Sequence, residues 1–369
     1  MKFICTQQEL NAKLDIVKNA IPSKTTMSIL QYIFIEATAS QVRFVANDME
    51  NGIETTLKAT VEEEGYVAIE ASLITSIVKA LPDADVTLST DAGFMVSVDC
   101  EKTHYNLPGR SGDDFTFPPE IKEEEGIEIR QSTLKTLIAQ TIFSISTNDT
   151  NKIMTGELFE VDGEVLRMIS LDGHRISLRK TMLNKKYSPK KAIVPGRTLQ
   201  KIRNILSDQA EKTVLICFTE KHICFRLEDT VMVSRLIDGE YFDVAQMMNG
   251  DYETKVSVSR KEFIRGIEQA FVLAQEGDKK PIILNISGNE MELKVNSTRG
   301  SMNSFVSASL QGKDIMIGFN PRFLTDALRV IEDDELDVYF MNPKAPCFIR
   351  NNDSSYVYMV LPINFKTVE

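Results

Sequence analysis

The residues with the most chemical character lie in one short run, Ser170-Leu171-Asp172-Gly173-His174-Arg175. An aspartate two residues before a histidine suggests that His174 is a general base and that Asp172 orients it. The spacing argues against this chemistry, because Asp-Gly after an apolar strand is a turn signal. The sequence has three histidines and lacks a nucleophile elbow or a phosphate-binding glycine loop. Three hypotheses stay open: an enzyme site, a structural turn, and a turn that lines a groove for another protein.

A second group of reactive side chains is the set of five cysteines, two of which stand beside a histidine in LICFTEKHICFRL. A metal site at Cys217, His222 and Cys224 is conceivable, but this spacing is not a recognised ligand pattern. The alternating apolar residues instead predict that both cysteines are buried in strands. The sequence has no signal peptide and no run of apolar residues long enough for a membrane helix. We therefore expect a cytoplasmic protein without cofactor, metal or membrane segment.

The elements that position these residues occur three times along the 369 residues. Each third begins with an apolar strand that leads into an amphipathic helix, and each contains a second strand-helix unit. The first helices align on Leu10, Leu134 and Phe263, which are 124 and 129 residues apart. The second helices align on Leu73, Leu199 and Phe323, which are 126 and 124 residues apart. Both markers give a period near 125 residues, the size of a small domain. We predict domains at residues 1–126, 127–250 and 251–369.

Strand and helix patterns within each third predict an α+β fold. Alternating apolar segments such as QVRFVA, MELKVNS and YVYMVLPI are separated by Asp-Gly and Asn-Gly turns, which favour antiparallel hairpins. Helical periodicity covers residues 7–20, 71–81, 131–146, 197–206, 259–275 and 321–331. The prediction is three repeats of one domain, each with antiparallel sheets and two helices.

Charge is distributed unevenly between these predicted helices and the rest of the chain. The net charge is −11, which normally disfavours nucleic acid. The six helical segments together carry +7, so the remainder carries −18. Lys and Arg are good helix formers, which accounts for part of the difference. If all six helices lie on one face, that face is positive and the outside is negative.

Several motifs in combination resemble one known family. They are DGHR followed by an apolar residue, IVPGRTL, LIDGEY, GFN-x-x-F-L-x-D-A-L and the C-terminal YVYMVLPI. Together with the threefold repeat, they are similar to the bacterial sliding clamps, the beta subunits of DNA polymerase III. The resemblance covers the whole chain. It implies a non-catalytic homodimer in which two chains form a head-to-tail ring, with helices lining a hole for duplex DNA.

The resemblance also implies which residues meet DNA and which meet partners. Duplex DNA would be encircled without sequence preference, and the replicative polymerase, the clamp loader and other clamp-motif proteins would bind a groove. DNA-facing residues would be Lys24, Lys79, Lys135, Asn148, Arg197, Lys201, Arg203, Arg260, Lys261 and Arg265. The deep part of the groove would be Met154, Leu171, Gly173, His174, Arg175, Ile176, Phe242, Met247, Met359 and Leu361. Its shallower part would be Asn151, Ile153, Asn320, Phe323, Lys344, Pro346 and Ile363.

Three features depart from the family pattern. Phe242 stands where many members have proline, and residues 364–369 extend the usual end, so both are expected to crowd the groove. The stretch STRGSMNSFVSASL contains no acidic residue, so we expect an apolar dimer interface that uses Ile77, Leu81, Val272 and Leu273. Two alternatives stay open: an enzyme that uses Asp172 and His174 in a cleft between the second and third domains, and a monomeric protein-binding adaptor.

Overall fold

The computed structural model describes residues 1–121, 126–148, 150–248, 251–273 and 281–365. This part of the chain contains helices α1 (Gln7–Val17), α2 (Ala71–Ala80), α3 (Gln131–Thr141), α4 (Gly196–Ile205), α5 (Ala245–Met248), α6 (Arg260–Phe271) and α7 (Pro321–Val330). Short 3₁₀ turns, Lys18–Ala20 and Ile142–Ser144, extend α1 and α3 to nearly the predicted ends. The prediction of two long helices in each third is confirmed, and the end of the 259–275 segment lies outside the described residues.

The strands fall into three groups along the chain. The first group is β1 (Lys2–Thr6), β2 (Tyr32–Thr38), β3 (Gln41–Asn47), β4 (Asn51–Lys58), β5 (Thr60–Glu63), β6 (Gly65–Glu70), β7 (Asp85–Thr90), β8 (Met95–Cys100) and β9 (Thr103–Pro108). The second is β10 (Gly126–Arg130), β11 (Gly156–Leu171), β12 (Arg175–Pro195), β13 (Thr213–Phe218), β14 (His222–Arg226) and β15 (Thr230–Arg235). The third is β16 (Thr254–Ser259), β17 (Ile282–Ser287), β18 (Glu290–Ser297), β19 (Gly300–Gln311), β20 (Ile315–Phe319), β21 (Glu335–Phe340), β22 (Cys347–Arg350) and β23 (Tyr356–Val360).

Local sequence explains where individual helices begin. The Thr6 side chain accepts from the backbone N–H of Glu9, and the Glu9 carboxylate accepts from the backbone N–H of Thr6, which is a capping box at the start of α1. Asn320 caps α7 through the backbone N–H of Arg322, and Pro321 occupies the first turn, where its missing N–H costs nothing. Both helices therefore start within two residues of the end of the strand before them.

The chain forms two compact units, and the first comprises Met1–Leu134 and Arg197–Leu236. It contains a five-stranded sheet in the order β5-β1-β7-β8-β9 and an eight-stranded sheet in the order β10-β13-β14-β15-β4-β3-β2-β6. Within the larger sheet, β4 from the first third pairs with β15 from the second. A buried hydrogen bond between the hydroxyls of Thr55 and Thr230 lies on this seam. One sheet therefore runs across a predicted domain boundary.

The second unit comprises Lys135–Gly196 and Ile237–Glu369 and contains a ten-stranded sheet in the order β11-β12-β23-β22-β21-β16-β19-β18-β17-β20. Here β12 from the second third pairs with β23 from the last, and Ile176 lies opposite Met359. Helices α6 and α7 pack on this unit through buried residues such as Phe263 and Leu328. The described strand pairs are antiparallel throughout, so the α+β prediction is confirmed.

Two further expectations can be compared with this fold. The five cysteines are all buried, and Cys217 lies opposite Cys224 in the β13-β14 pair, as the alternating pattern predicts. None of the helices in the described ranges has the length and apolar character needed to span a membrane.

Candidate functional site

The Asp172-Gly173-His174-Arg175 run forms the turn between β11 and β12. One carboxylate oxygen of Asp172 accepts from the backbone N–H groups of His174, at 2.9 Å, and of Arg175, at 3.2 Å. Gly173 has φ +87°, a left-handed conformation that glycine adopts without a steric penalty. The nearest His174 ring nitrogen lies 4.0 Å from the Asp172 carboxylate, and the His174 side chain is 70% exposed. The carboxylate therefore holds the turn and does not orient a base.

Arg175 is buried in the same turn, and each of its three guanidinium nitrogens donates a hydrogen bond. Nε donates to the second carboxylate oxygen of Asp172 at 2.9 Å, and Nη1 donates to Asp326 at 2.7 Å. Nη2 donates to the backbone carbonyl of Phe143, and the guanidinium lies 4.4 Å from the ring centre of Phe323. The resemblance places Arg175 in the partner groove, but its donors all point to groups of the second unit. Its role is to fasten the turn to α7.

An apolar cluster lies beside this turn. Strand pairing sets Leu171 opposite Ile176 and Ile176 opposite Met359. We call the following buried set the apolar cluster: Leu158, Ile169, Leu171, Ile176, Val244, Met248, Phe348 and Met359. Met154 packs against it from the 3₁₀ turn Lys152–Thr155. The structure thus brings together four of the predicted deep groove residues, which come from the middle and the end of the chain.

Three large apolar side chains border the apolar cluster and remain open to solvent. Met247 is 54% exposed, Phe242 41% and Leu361 36%. The N–H of Leu361 donates to the carbonyl of His174 at 2.8 Å, which fixes the chain end next to the turn. Phe242 makes an edge contact with Tyr241, which itself packs on the apolar cluster. We call these three residues the exposed rim; with the apolar cluster below, they form a surface suited to an apolar anchor of a peptide.

The shallower predicted set is only partly brought together. Phe323, in α7, lies 6.1 Å from the His174 ring, and Asn320 caps the same helix. Ile363 donates its N–H to Gly318 at the end of β20. Asn151 caps the turn that carries Ile153 and Met154, whereas Lys344 is exposed in the turn before β22 and Pro346 is half-buried there. The predicted C-terminal extension lies mostly outside the described residues, which end at Phe365.

Two buried polar groups next to this surface had no signal in the sequence. Glu157 is fully buried on β11, and neither carboxylate oxygen has a hydrogen-bond partner. Burial raises the pKa of Glu157 to about 8, against a smaller opposing effect of the Thr141 hydroxyl. The Tyr241 hydroxyl is also buried without a hydrogen-bond partner, and burial, reinforced by the Glu157 charge, raises the pKa of Tyr241. In the sequence Glu157 stands between Gly156 and Leu158, and these neighbours give no sign that its side chain is buried.

The predicted DNA-facing residues divide into exposed side chains and engaged ones. The exposed members are Lys24, Lys79, Asn148, Arg197, Arg203, Lys261 and Arg265. Among these, Lys261 lies 3.6 Å from the Asp334 carboxylate, and Asn148 accepts hydrogen bonds from Thr150. Lys201 forms an ion pair with Asp48, and Arg260 donates through Nε to the backbone carbonyl of Asp333 at 2.9 Å. Lys135 is half-buried and has a polar contact. Lys201 and Arg260 therefore bind groups of their own unit, so they are weaker candidates for phosphate contacts than the exposed arginines.

The predicted interface residues also differ in exposure. Ile77 and Leu81 are buried in the first unit, with 8% and 7% of their surface exposed, so little of either side chain is available to a second copy. Val272 is 73% exposed at the end of α6, while Leu273 packs partly on the core of the second unit. Phe305, which the sequence analysis missed, is 58% exposed on β19. It is the one large apolar residue on an otherwise polar strand face, and that contrast is a signal present in the sequence.

The fold and this surface define a binding protein built on a repeated α+β domain, with no catalytic role for Asp172 and His174. Sequence profiles of DNA polymerase III beta subunits match the chain from end to end. The N-terminal domain matches residues 1–119, the central domain residues 128–243 and the C-terminal domain residues 246–364. The chain belongs to the DNA polymerase III beta subunit family, the bacterial sliding clamps.

Individual relatives agree over the full length. The beta sliding clamp of Bacillus subtilis is 32% identical over 98% of this chain and 99% of its own. A crystal structure of a putative DNA polymerase III beta subunit from Eubacterium rectale is 50% identical with a TM-score of 0.94, covering 99% of this chain and 100% of that one. The crystal structure of the Bacillus subtilis clamp is 31% identical with the same TM-score and the same coverage. The chain is thus a processivity factor of DNA replication and a non-catalytic polymerase subunit, and the enzyme hypothesis is wrong.

Proposed function

We propose that two copies of this chain close head to tail into a ring that encircles duplex DNA, slides along it and tethers the replicative DNA polymerase. The observation that carries the proposal is the match of all three clamp domains, in order, over the whole chain. A closed ring holds DNA by topology, so it needs no grip on any base. The free buried thiols suit the cytoplasm, where this ring would act.

Two open strand edges support the closure of such a ring. In the first unit, β9 is the last strand of its sheet. In the second unit, Gly300–Phe305 of β19 pairs with β18 alone among the described strands, because β16 pairs only with residues 308–311. An open edge accepts another strand, so β9 of one copy would pair with β19 of the next. Exposed Phe305 and Val272 would supply the apolar contacts.

Exposed basic side chains on the helices support the DNA-facing role. Arg197 and Arg203 lie on α4, Lys79 on α2 and Arg265 on α6, and all four are exposed. Side chains that contact only phosphates carry no sequence information and permit sliding. The acidic remainder of the chain, at −18, would keep DNA from binding elsewhere.

The apolar cluster and its exposed rim would be the site for partners. A short segment with an apolar or aromatic end would place its anchor near Leu171, Ile176 and Met359 and cover Met247 and Leu361. Methionine side chains repack easily, so one such surface can accept the polymerase, the clamp loader and other clamp-motif proteins in turn. Phe242 narrows the approach relative to a clamp with proline at this position.

Light scattering and DNA retention test the ring directly. We expect a mass twice the 41.5 kDa of one chain and, after loading, retention on nicked circular DNA that is lost when the circle is cut. A monomer at micromolar concentration, or equal retention on circular and linear DNA, would contradict the ring and favour the monomeric adaptor. Replacing Arg197 and Arg203 with glutamine should leave the dimer intact and reduce the salt dependence of DNA binding, by roughly one unit of slope per lost contact.

A further inference from the structure

A cavity of about 290 Å³ lies in the second unit, and none of its lining residues belongs to the apolar cluster or its exposed rim. Its walls come from the end of α3, from β12, from the segment after α7 and from β23. The volume far exceeds the roughly 30 Å³ that one water occupies in the liquid. It is at the lower end of the range for small-molecule sites.

One wall of the cavity carries a half-buried arginine that has no ion-pair partner among the described residues. Arg179 lies on β12, and two of its guanidinium nitrogens, Nε and Nη1, are buried without a hydrogen-bond acceptor. It forms no ion pair with any residue that the structure describes. Its cross-strand neighbour Tyr356 is 1% exposed, and the buried Tyr356 hydroxyl has no partner at hydrogen-bond geometry among the described residues. The Ser177 hydroxyl lies nearby and is bonded to Ser144. Directly opposed residues share a sheet face, so Arg179 and Tyr356 stand together at the cavity.

An acceptor completes the set of unsatisfied groups. The Gln140 side chain donates through Nε2 to the carbonyl of Val330 at 3.0 Å, which leaves Oε1 buried and without a donor. The Asn351 side chain, which also lines the cavity, is already committed to Tyr356 N–H and to the Ser355 hydroxyl. The cavity therefore offers two kinds of donor, from Arg179 and Tyr356, and one acceptor, from Gln140.

Two carboxylates, Glu332 and Asp333, line the cavity, and a third, Asp353, lies near Arg179. Burial lowers the pKa of Arg179 more than the attraction of these three carboxylates raises it, and none of them forms an ion pair with it among the described residues. Asp333 accepts through Oδ1 from Asn352 at 3.1 Å, and its backbone carbonyl accepts from Arg260. Glu332 is exposed. A buried charge is costly unless it is paired, and a buried donor without an acceptor adds to that cost. A species inside the cavity that carries negative charge would remove both costs.

We propose that this cavity binds a phosphate group, with the Arg179 guanidinium and the Tyr356 hydroxyl as donors and Gln140 Oε1 accepting from a protonated phosphate oxygen. Oxyanions are preferred because charge-assisted hydrogen bonds to arginine are the strong ones. Inorganic phosphate is preferred among the oxyanions because it keeps a hydroxyl at neutral pH, whereas a phosphate monoester, with a second pKa of about 6, has mostly lost it. Sulfate and acetate have none, and they would leave Gln140 unsatisfied. The site is independent of ring closure and of the partner surface.

Calorimetric titration of the full-length protein tests the proposal. Inorganic phosphate, methyl phosphate, sulfate and acetate would be added at matched ionic strength in a buffer free of oxyanions. We expect phosphate to bind and sulfate to bind on the order of tenfold more weakly, because a buried acceptor then stays unpaired. Methyl phosphate has mostly lost its hydroxyl at neutral pH, so it should bind as weakly as sulfate. No heat with inorganic phosphate, or equal affinity for inorganic phosphate and for sulfate or methyl phosphate, would overturn the proposal.

Three variants locate the site. Tyr356→Phe removes one hydroxyl and should weaken phosphate binding about tenfold, and Arg179→Gln should abolish it. Lys180→Gln is the matched control, because it removes the same charge from the next residue of β12, whose exposed side chain points to the other face. Unchanged binding in Tyr356→Phe, or equal loss in Lys180→Gln, would refute the assignment. If Arg179→Gln does not fold, Tyr356→Phe and the control still decide the question.

Discussion

Replacing Glu157 with glutamine should stabilise the protein at alkaline pH and leave it nearly unchanged at acid pH. The carboxyl is fully buried without a hydrogen-bond partner, and burial raises its pKa from 4.5 to about 8. In the unfolded chain the same group ionises near its ordinary value. Between these two pKa values the folded protein keeps a proton that the unfolded chain has released, so folding becomes less favourable as the pH rises.

The size of the effect follows from the two pKa values. Below pH 4.5 the group is protonated in both states and has no influence on the pH dependence. Above that, stability falls by about 1.4 kcal/mol per pH unit. The loss reaches about 3 kcal/mol at pH 7 and levels off near 5 kcal/mol above pH 8. The glutamine side chain does not titrate, so the Glu157→Gln variant should lack this slope.

Urea unfolding of both proteins at pH 5, 6, 7 and 8 measures this difference, since other titrating groups cancel in the comparison. Glu160→Gln on the same strand is the control. Burial raises the pKa of Glu160, but hydrogen bonds and charges from Lys191 and Arg167 outweigh burial and lower it overall. Glu160 is therefore ionised in both states above pH 5, and its removal should give a difference that does not vary with pH. A pH-independent difference for Glu157→Gln would refute the argument.

Four further outcomes are expected. Phe242→Pro should tighten the binding of a clamp-motif peptide. Leu361→Asp should weaken the binding at least tenfold, because a charge would stand where an apolar anchor binds. Fluorescence anisotropy of a labelled peptide would measure both affinities. Val272→Asp together with Phe305→Asp should give monomers in light scattering while the circular dichroism spectrum stays unchanged, because both side chains are exposed within one chain. Arg175→Lys should lower the free energy of unfolding by about 3 kcal/mol, because one ammonium cannot replace a guanidinium bonded to two carboxylates and a carbonyl. A loss below about 1 kcal/mol in urea unfolding would contradict the role of Arg175 in holding the turn against α7.

Local patterns predicted the elements well, because each depends on residues close in sequence. The six long helices follow the 3.6-residue periodicity, and the Asp172-Gly173 turn follows from turn chemistry alone. The short helix Ala245–Met248 is not among the predicted helices, since a single helical turn is too short to show periodicity. The predicted boundary after residue 250 falls beside residues that the structure does not describe.

Properties that depend on distant parts of the chain could not be predicted from residue patterns. The roles of Arg175 and Glu157 follow from groups that surround them in space, among them Asp326, which is 151 residues from Arg175. Ile77 is apolar and lies on an amphipathic helix, a pattern that fits an interface residue and a residue that faces its own core equally well, and in the structure it is 8% exposed. The prediction of a partner surface came from the family resemblance, because residue patterns alone left three hypotheses open for the Asp172-His174 turn.

The β4-β15 and β12-β23 seams bear on how this chain can be dissected. A fragment ending at residue 126 would keep β4 but lose the partner strand, and a fragment starting at residue 251 would keep β23 without β12. Each cut would leave a strand edge unpaired, the eight residues of β4 or the five largely apolar residues of β23, and such edges recruit other chains. Single repeats prepared for crystallography or peptide screening should therefore aggregate, even though the repeat is evident in the sequence. The second compact unit consists of Lys135–Gly196 and Ile237–Glu369, so a gene in which a short linker replaces residues 197–236 is the practical route to an isolated binding surface.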